Sequence, residues 1–224
     1  MGRDNQPKHR QRRSEAKKQA QRASYSRILI VTEGSKTEPM YLEEICAAHQ
    51  LHSANVEVQP GRYGTAPIQV VSYARQLFEE GALHQGIRPK SFDQVYAVFD
   101  RDDHYSYFDA LNLAKSLDNK LRNDERLSVS FKAIASNPCF ELWLLLHYED
   151  IQAPIHRDKV MARLKQHIPD YDKGSGDVFA TTHDKLATAT LRAESLAKQF
   201  GARTSCGPCT TMHELVVLLI GLRS

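Results

Sequence analysis

No apolar run in this sequence approaches the roughly 20 residues that a membrane-spanning helix needs. No apolar stretch near the N-terminus resembles an export signal either. Together these absences leave a cytoplasmic protein with no membrane partner as the expectation. Cysteine is scarce, with four in 224 residues, and these are Cys46, Cys139, Cys206 and Cys209. That is too sparse for a disulfide framework in a chain of this length without an export signal. Two of the four fall within helical patterns and are expected as buried thiols. What is present is a hydrophobic content of 41%, enough to bury a core. The length fits one domain with an appendage or a small helical lobe.

A large excess of either charge sign is also missing, since the net charge is +3. The balance hides an asymmetry. Residues 1–24 hold eight Lys/Arg against Asp4 and Glu15, so the rest of the chain is slightly acidic. A basic arm of this kind neutralises phosphates and steers association with polyanions, or simply keeps a tail solvated. These residues are charged, rich in Gln and poor in apolar side chains, and are read as an arm without its own fold.

From residue 25 the pattern changes. Residues 28–32 (ILIVT) and 94–99 (QVYAVF) are continuous apolar, β-branched runs, as in strands buried on both faces of a parallel sheet. Residues 55–59 and 128–134 read as further strands. Helical spacing follows each strand: Thr37, a candidate cap, opens a helix reaching Ala48, and others cover 66–80, 107–121 and 136–148. Strand and helix alternate as in a parallel α/β sheet with right-handed crossovers. After Asp150 only helical patterns are expected, over 157–167, 182–200 and 211–222, with a Gly-rich polar loop at 169–178. The predicted organisation is a basic arm (1–24), an α/β domain (25–150) and a helical extension packed on it (151–224).

Ligands of parallel α/β sheets lie beyond the carboxyl ends of the strands. Glu33 and Asp100 stand at two such ends, and Asp102 and Asp103 share the loop of Asp100. Three acids within four residues repel one another unless a cation compensates them. Hard oxygen ligands suit Mg²⁺ (or Mn²⁺), which also accepts phosphate oxygens. Glu38, in the next helical turn, can reach a second cation, and Lys36 is a point charge suited to a phosphate. Acids after strands also serve as helix caps or solvated loop charges, a reading that fits Asp103 best.

The Glu-Gly pair ending the first strand, with Asp-x-Asp ending a later one, resembles a Toprim domain. Toprim domains occur in topoisomerases, primases and several nucleases. The segments VTEGSKTEP, VFDRDD, SNPCFELWLLLHY and TTMHELVVLL, in this order, resemble the RloB/AbiLii-like proteins of bacterial defence islands across about residues 27–220. The resemblance implies a Toprim-like α/β fold. It also implies a metal-dependent nuclease acting on DNA or RNA (tRNA among them) in anti-phage defence or abortive infection, with an ABC-type ATPase as partner. In it Glu33 is a proton-transfer group and ligand, Asp100 and Asp102 bind Mg²⁺, and Glu38 is a second acid.

Several further features carry more than one reading. Asn137 caps a helix or touches substrate. Glu141, in an otherwise apolar helix, faces the acidic site or pairs with a basic residue. Lys173 and Asp177 lie in the Gly-rich loop, as a cover over substrate or as plain surface. Cys206-Gly207-Pro208-Cys209 has the form of a redox motif, but no strand pattern precedes it, so a tight turn entering the last helix is expected. The expected catalytic residues are thus Glu33, Lys36 and Glu141. The expected ligands are Glu33, Glu38, Asp100, Asp102 and Asp103, and the expected substrate contacts are Asn137, Lys173 and Asp177. A topoisomerase or primase would need large modules for which about 75 residues leave no room. The alternative to a nuclease is a non-catalytic adaptor that binds nucleic acid or the ATPase.

Overall fold

A computed structural model describes residues 26–53, 55–62, 64, 66–174, 176–204 and 207–222. The basic arm and Cys206 lie outside the described residues. Four parallel strands form the sheet: β1 (Ile28–Thr32), β2 (Val56–Pro60), β3 (Gln94–Asp100) and β4 (Ser130–Asn137). A two-residue strand, β5 (Cys209–Thr210), pairs antiparallel with β4 and completes the order β2-β1-β3-β4-β5. The fold is α/β and Toprim-like, a mostly parallel sheet flanked by helices with a largely helical C-terminal part.

Both central strands are buried, as their unbroken apolar runs require. Alternate residues feed two cores. Leu29, Val31, Val95, Ala97 and Phe99 face α2 (Pro67–Glu80) and α3 (Tyr107–Leu117). Ile28, Ile30, Tyr96, Val98 and Ile134 face α1 (Thr37–Ala48) and α4 (Glu141–Leu145). The same core holds α5 (Arg157–His167), α6 (Val178–Thr182), α7 (Leu186–Thr204) and α8 (Met212–Gly221). Trp143, fully buried there, donates its ring N–H to Tyr41 Oη at 2.9 Å, as a buried indole requires.

The structure departs from the sequence pattern in several places, among them the expected helix over 182–200, which is divided into Val178–Thr182 and Leu186–Thr204. The expected helix over 136–148 shrinks to Glu141–Leu145 because β4 runs on to Asn137, with Ser136 in register with Asp100. A residue before proline is steered away from helical backbone, which favours this extension up to Pro138. The helix starting at Tyr107 stops at Leu117, because Asp118 turns to extended backbone and the Asn119 amide donates to Val129 O at 2.9 Å instead of back along the helix. Thr37 lies inside the first turn of α1 rather than capping it, and its hydroxyl engages Tyr171. The C-terminal part is helical except for β5, which the sequence reading lacks. Ser136 and Thr210 hydroxyls meet at 2.9 Å and Thr211 Oγ1 accepts from the Ala135 amide at 3.0 Å, so this strand covers the edge of β4.

Sheet order decides where a ligand fits. The chain passes from β1 outward to β2, then returns to the other side of β1 with β3. The crossovers therefore diverge between the carboxyl ends of β1 and β3, the place where open α/β sheets leave a crevice. Glu33 and Asp100 stand at those two ends.

Candidate metal centre

The backbone ladder continues past the strands and fixes the loops. The Glu33 amide donates to Val98 O at 2.8 Å, Arg101 to Ser136 O at 2.7 Å and Asp102 to Pro138 O at 3.1 Å. Glu33 Oε2 accepts the Asp100 amide at 2.9 Å, tying β1 to β3 through the carboxylate itself. The His104 amide then donates to Arg101 O at 3.1 Å, a turn that returns residue 104 towards residue 102. Asp102 takes a left-handed backbone (φ 40°) within this turn, which Asp tolerates better than most residues.

Ligand atoms of Glu33, Asp102 and His104 all lie within 4.8 Å of one another. Asp102 Oδ1 is buried and has no hydrogen-bond partner among the described residues. Its other oxygen, Oδ2, is 2.8 Å from Arg157 Nη1. A buried carboxylate oxygen without a donor costs free energy. A divalent cation held by two carboxylates and an imidazole would satisfy it, so the residues fit such an ion.

Two further acids stand beside this group. Asp100 is buried, and burial first, then the charges of Glu38, Glu33 and Glu141, hold its pKa well above the ordinary range against the opposing Phe140 amide. Glu38 is raised by burial and by Glu141 and Asp102, against its own backbone amide and Lys173. Its carboxylate folds over Gly34, where an added Cβ would lie 2.6 Å from Oε2. Burial lifts Glu33 to about 7 despite its bond from Asp100, with Glu38 and Asp102 adding to the rise. Excess negative charge packed this tightly is what a bound cation relieves.

The RloB-like protein family model matches residues 28–219. This chain belongs to the RloB-like protein family. No curated protein and no solved structure matches it. The RloB-like match spans every expected site residue, from Glu33 to Asp177. Among the described residues, no helix is long and apolar enough to cross a membrane.

The other expected residues of this RloB-like chain fall in distinct places. Asp103 is exposed and outside the three-donor group. Lys36 is exposed at the start of α1, and its stem packs on Gly174, where a Cβ would sit 3.0 Å from Lys36 Cβ and φ is +84°. The Gly-rich loop thus lies against the loop that carries Glu33. From it Lys173 Nζ reaches Glu141 Oε1 at 3.2 Å, and Tyr171 Oη donates to the same oxygen at 3.3 Å. Glu141 is thereby a buried acid paired from the loop. Asn137 donates its amide to Gly207 O at 2.5 Å, holding the approach to β5. Asp177 is exposed ahead of α6, and its side chain makes no capping bond. Cys209, in β5, is buried and its thiol is raised by burial, the reverse of a reactive redox cysteine.

Two site residues escaped the sequence reading. His104 follows the acidic run directly and carried the signal of a ligand type in a strand-end loop. Arg157 gave none, because only the packing of α5 brings it 55 positions back to Asp102.

Proposed function

We propose that this site hydrolyses phosphodiester bonds in nucleic acid, using Mg²⁺ or Mn²⁺ held by Glu33, Asp102 and His104, with Asp100 and Glu38 adding negative charge. The observation that carries this reading is the buried, partnerless Asp102 Oδ1 inside a three-donor group at the sheet's crevice. When bound, the cation would polarise a phosphoryl oxygen and lower the pKa of an attacking water. Glu33 supports proton transfer near neutral pH, since its pKa is pushed up to about 7. Its Oε2 is occupied by the Asp100 amide, so Oε1 is the oxygen that handles the proton or the ion. Lys36 is exposed beside the site and suits a phosphate oxygen by point charge. The family resemblance supports a role in anti-phage defence beside an ABC-type ATPase.

The test is cleavage of single- and double-stranded DNA and RNA, tRNA included, with Mg²⁺, Mn²⁺ or chelator. The full chain should cut at least one substrate only with the ion, and Asp102→Asn should abolish cutting. Cleavage that survives chelator, or that Asp102→Asn leaves intact, would overturn the reading.

A further inference from the structure

Two cations from the C-terminal part of the chain meet the acidic site, and their partners differ. Lys173 pairs with Glu141, whose side chain is only 2% exposed and also accepts from Tyr171. That carboxylate must be neutralised from within the protein in every state. Arg157 pairs with Asp102, whose side chain is 18% exposed and belongs to the donor group with Glu33 and His104. Asp102 is therefore the one acid of the two that an entering ion would neutralise instead. The Arg157 side chain, at 41% exposure, has solvent on one side of its guanidinium. A planar guanidinium grips phosphate through paired N–H donors.

We infer that Arg157 is an exchangeable counter-ion: it holds Asp102 while the cation site is empty and turns to a substrate phosphate once a cation takes the carboxylate. The inference rests on the reading of the site as a phosphodiesterase. Its signature is a pair of effects with opposite signs. Arg157 on Oδ2 neutralises the charge that attracts a cation to Oδ1, so it weakens metal binding in the absence of substrate. Arg157 also supplies a phosphate contact, so it strengthens substrate binding in the loaded site. A residue that only positions Asp102 would strengthen both.

The experiment compares the full chain with Arg157→Gln and Arg157→Lys. Mn²⁺ is titrated without nucleic acid, and a phosphorothioate-linked DNA oligonucleotide is then bound in Ca²⁺ across a salt series. Thermal melts establish folding, and Arg157→Lys carries the test if the Gln variant does not fold. Arg157→Gln should bind Mn²⁺ about fivefold tighter, the scale of losing a partly exposed ion pair. The same variant should bind the oligonucleotide roughly tenfold more weakly, with a log–log salt slope shallower by about 1. Arg157→Lys should fall between wild type and Gln in both readouts. Equal or weaker Mn²⁺ binding by the folded variant, or unchanged oligonucleotide binding, would overturn the inference and leave the metal reading standing. Failure of the unmodified chain to take up Mn²⁺ would remove both.

Discussion

Replacing Lys173 by Met tests how the Gly-rich loop is held over the site. Glu141 Oε1 takes Lys173 at 3.2 Å and the Tyr171 hydroxyl at 3.3 Å, inside a helix otherwise buried in the apolar core. Removing one partner of a fully buried ion pair costs about 3–5 kcal/mol, because the other charge is left uncompensated. The Lys173 side chain is 47% exposed, so solvent already screens much of the attraction. We discount the cost to about 2 kcal/mol on that ground. For a chain of this length that is a fall in Tm of about 4–8 °C. Paired urea titrations of Lys173→Met, Glu141→Gln and the double variant close the thermodynamic cycle. Glu141→Gln keeps an acceptor for Tyr171 without the charge, so it should recover most of the loss in the Lys173→Met background. A Lys173→Met midpoint within about 0.5 kcal/mol of wild type, with no coupling in the cycle, would refute this reasoning. The loop would then be held by Tyr171 and the Gly174 contact alone.

Three further outcomes follow from the same geometry. Folding raises Glu33 from 4.5 to about 7, so its proton stabilises the folded state below pH 4.5 and that contribution is lost as pH rises through 7. In chelator, Glu33→Gln should therefore gain on wild type between pH 4.5 and 7, by up to about 3 kcal/mol; parallel stability curves across that window would count against the buried acid cluster. Ions and protons compete for these carboxylates, so the rise in Tm on adding Mn²⁺ should be larger at pH 8 than at pH 5.5, and an equal rise would point to binding elsewhere. At Gly61 a Cβ would lie 2.9 Å from Thr32 O and 3.0 Å from Glu33 O, both backbone atoms that cannot swing aside. Gly61→Ala should cost about 1–3 kcal/mol in urea unfolding, and a neutral variant would show that the β1 end is looser than described.

The parts of this fold legible in the sequence were those with a strong physical pattern. The runs 28–32 and 94–99 have the pattern of strands buried on both faces, and each ends on an acid, so Glu33 and Asp100 are read as able to converge at one sheet edge; the pairing of β1 with β3 makes them neighbours. What stayed hidden depended on tertiary contacts. β5 is two residues long and has no periodicity, and it exists because β4 offers it an edge. Residues 136–148 carry a helical apolar pattern, yet pairing extends their first two residues, Ser136 against β3 and Asn137 against β5. His104 lay in view, but only the turn at Arg101–His104 shows that it, rather than Asp103, joins Asp102. Arg157 on Asp102 follows from packing of α5 against α4, which no local signal foretells.

Anomalous diffraction from crystals soaked in Mn²⁺ locates the ion. An anomalous peak bounded by Glu33, Asp102 and His104 is expected, and it should be absent in Asp102→Ala crystals soaked alike. Crystals with no peak between those three side chains, or with a peak there that Asp102→Ala leaves unchanged, would contradict this placement of the ion.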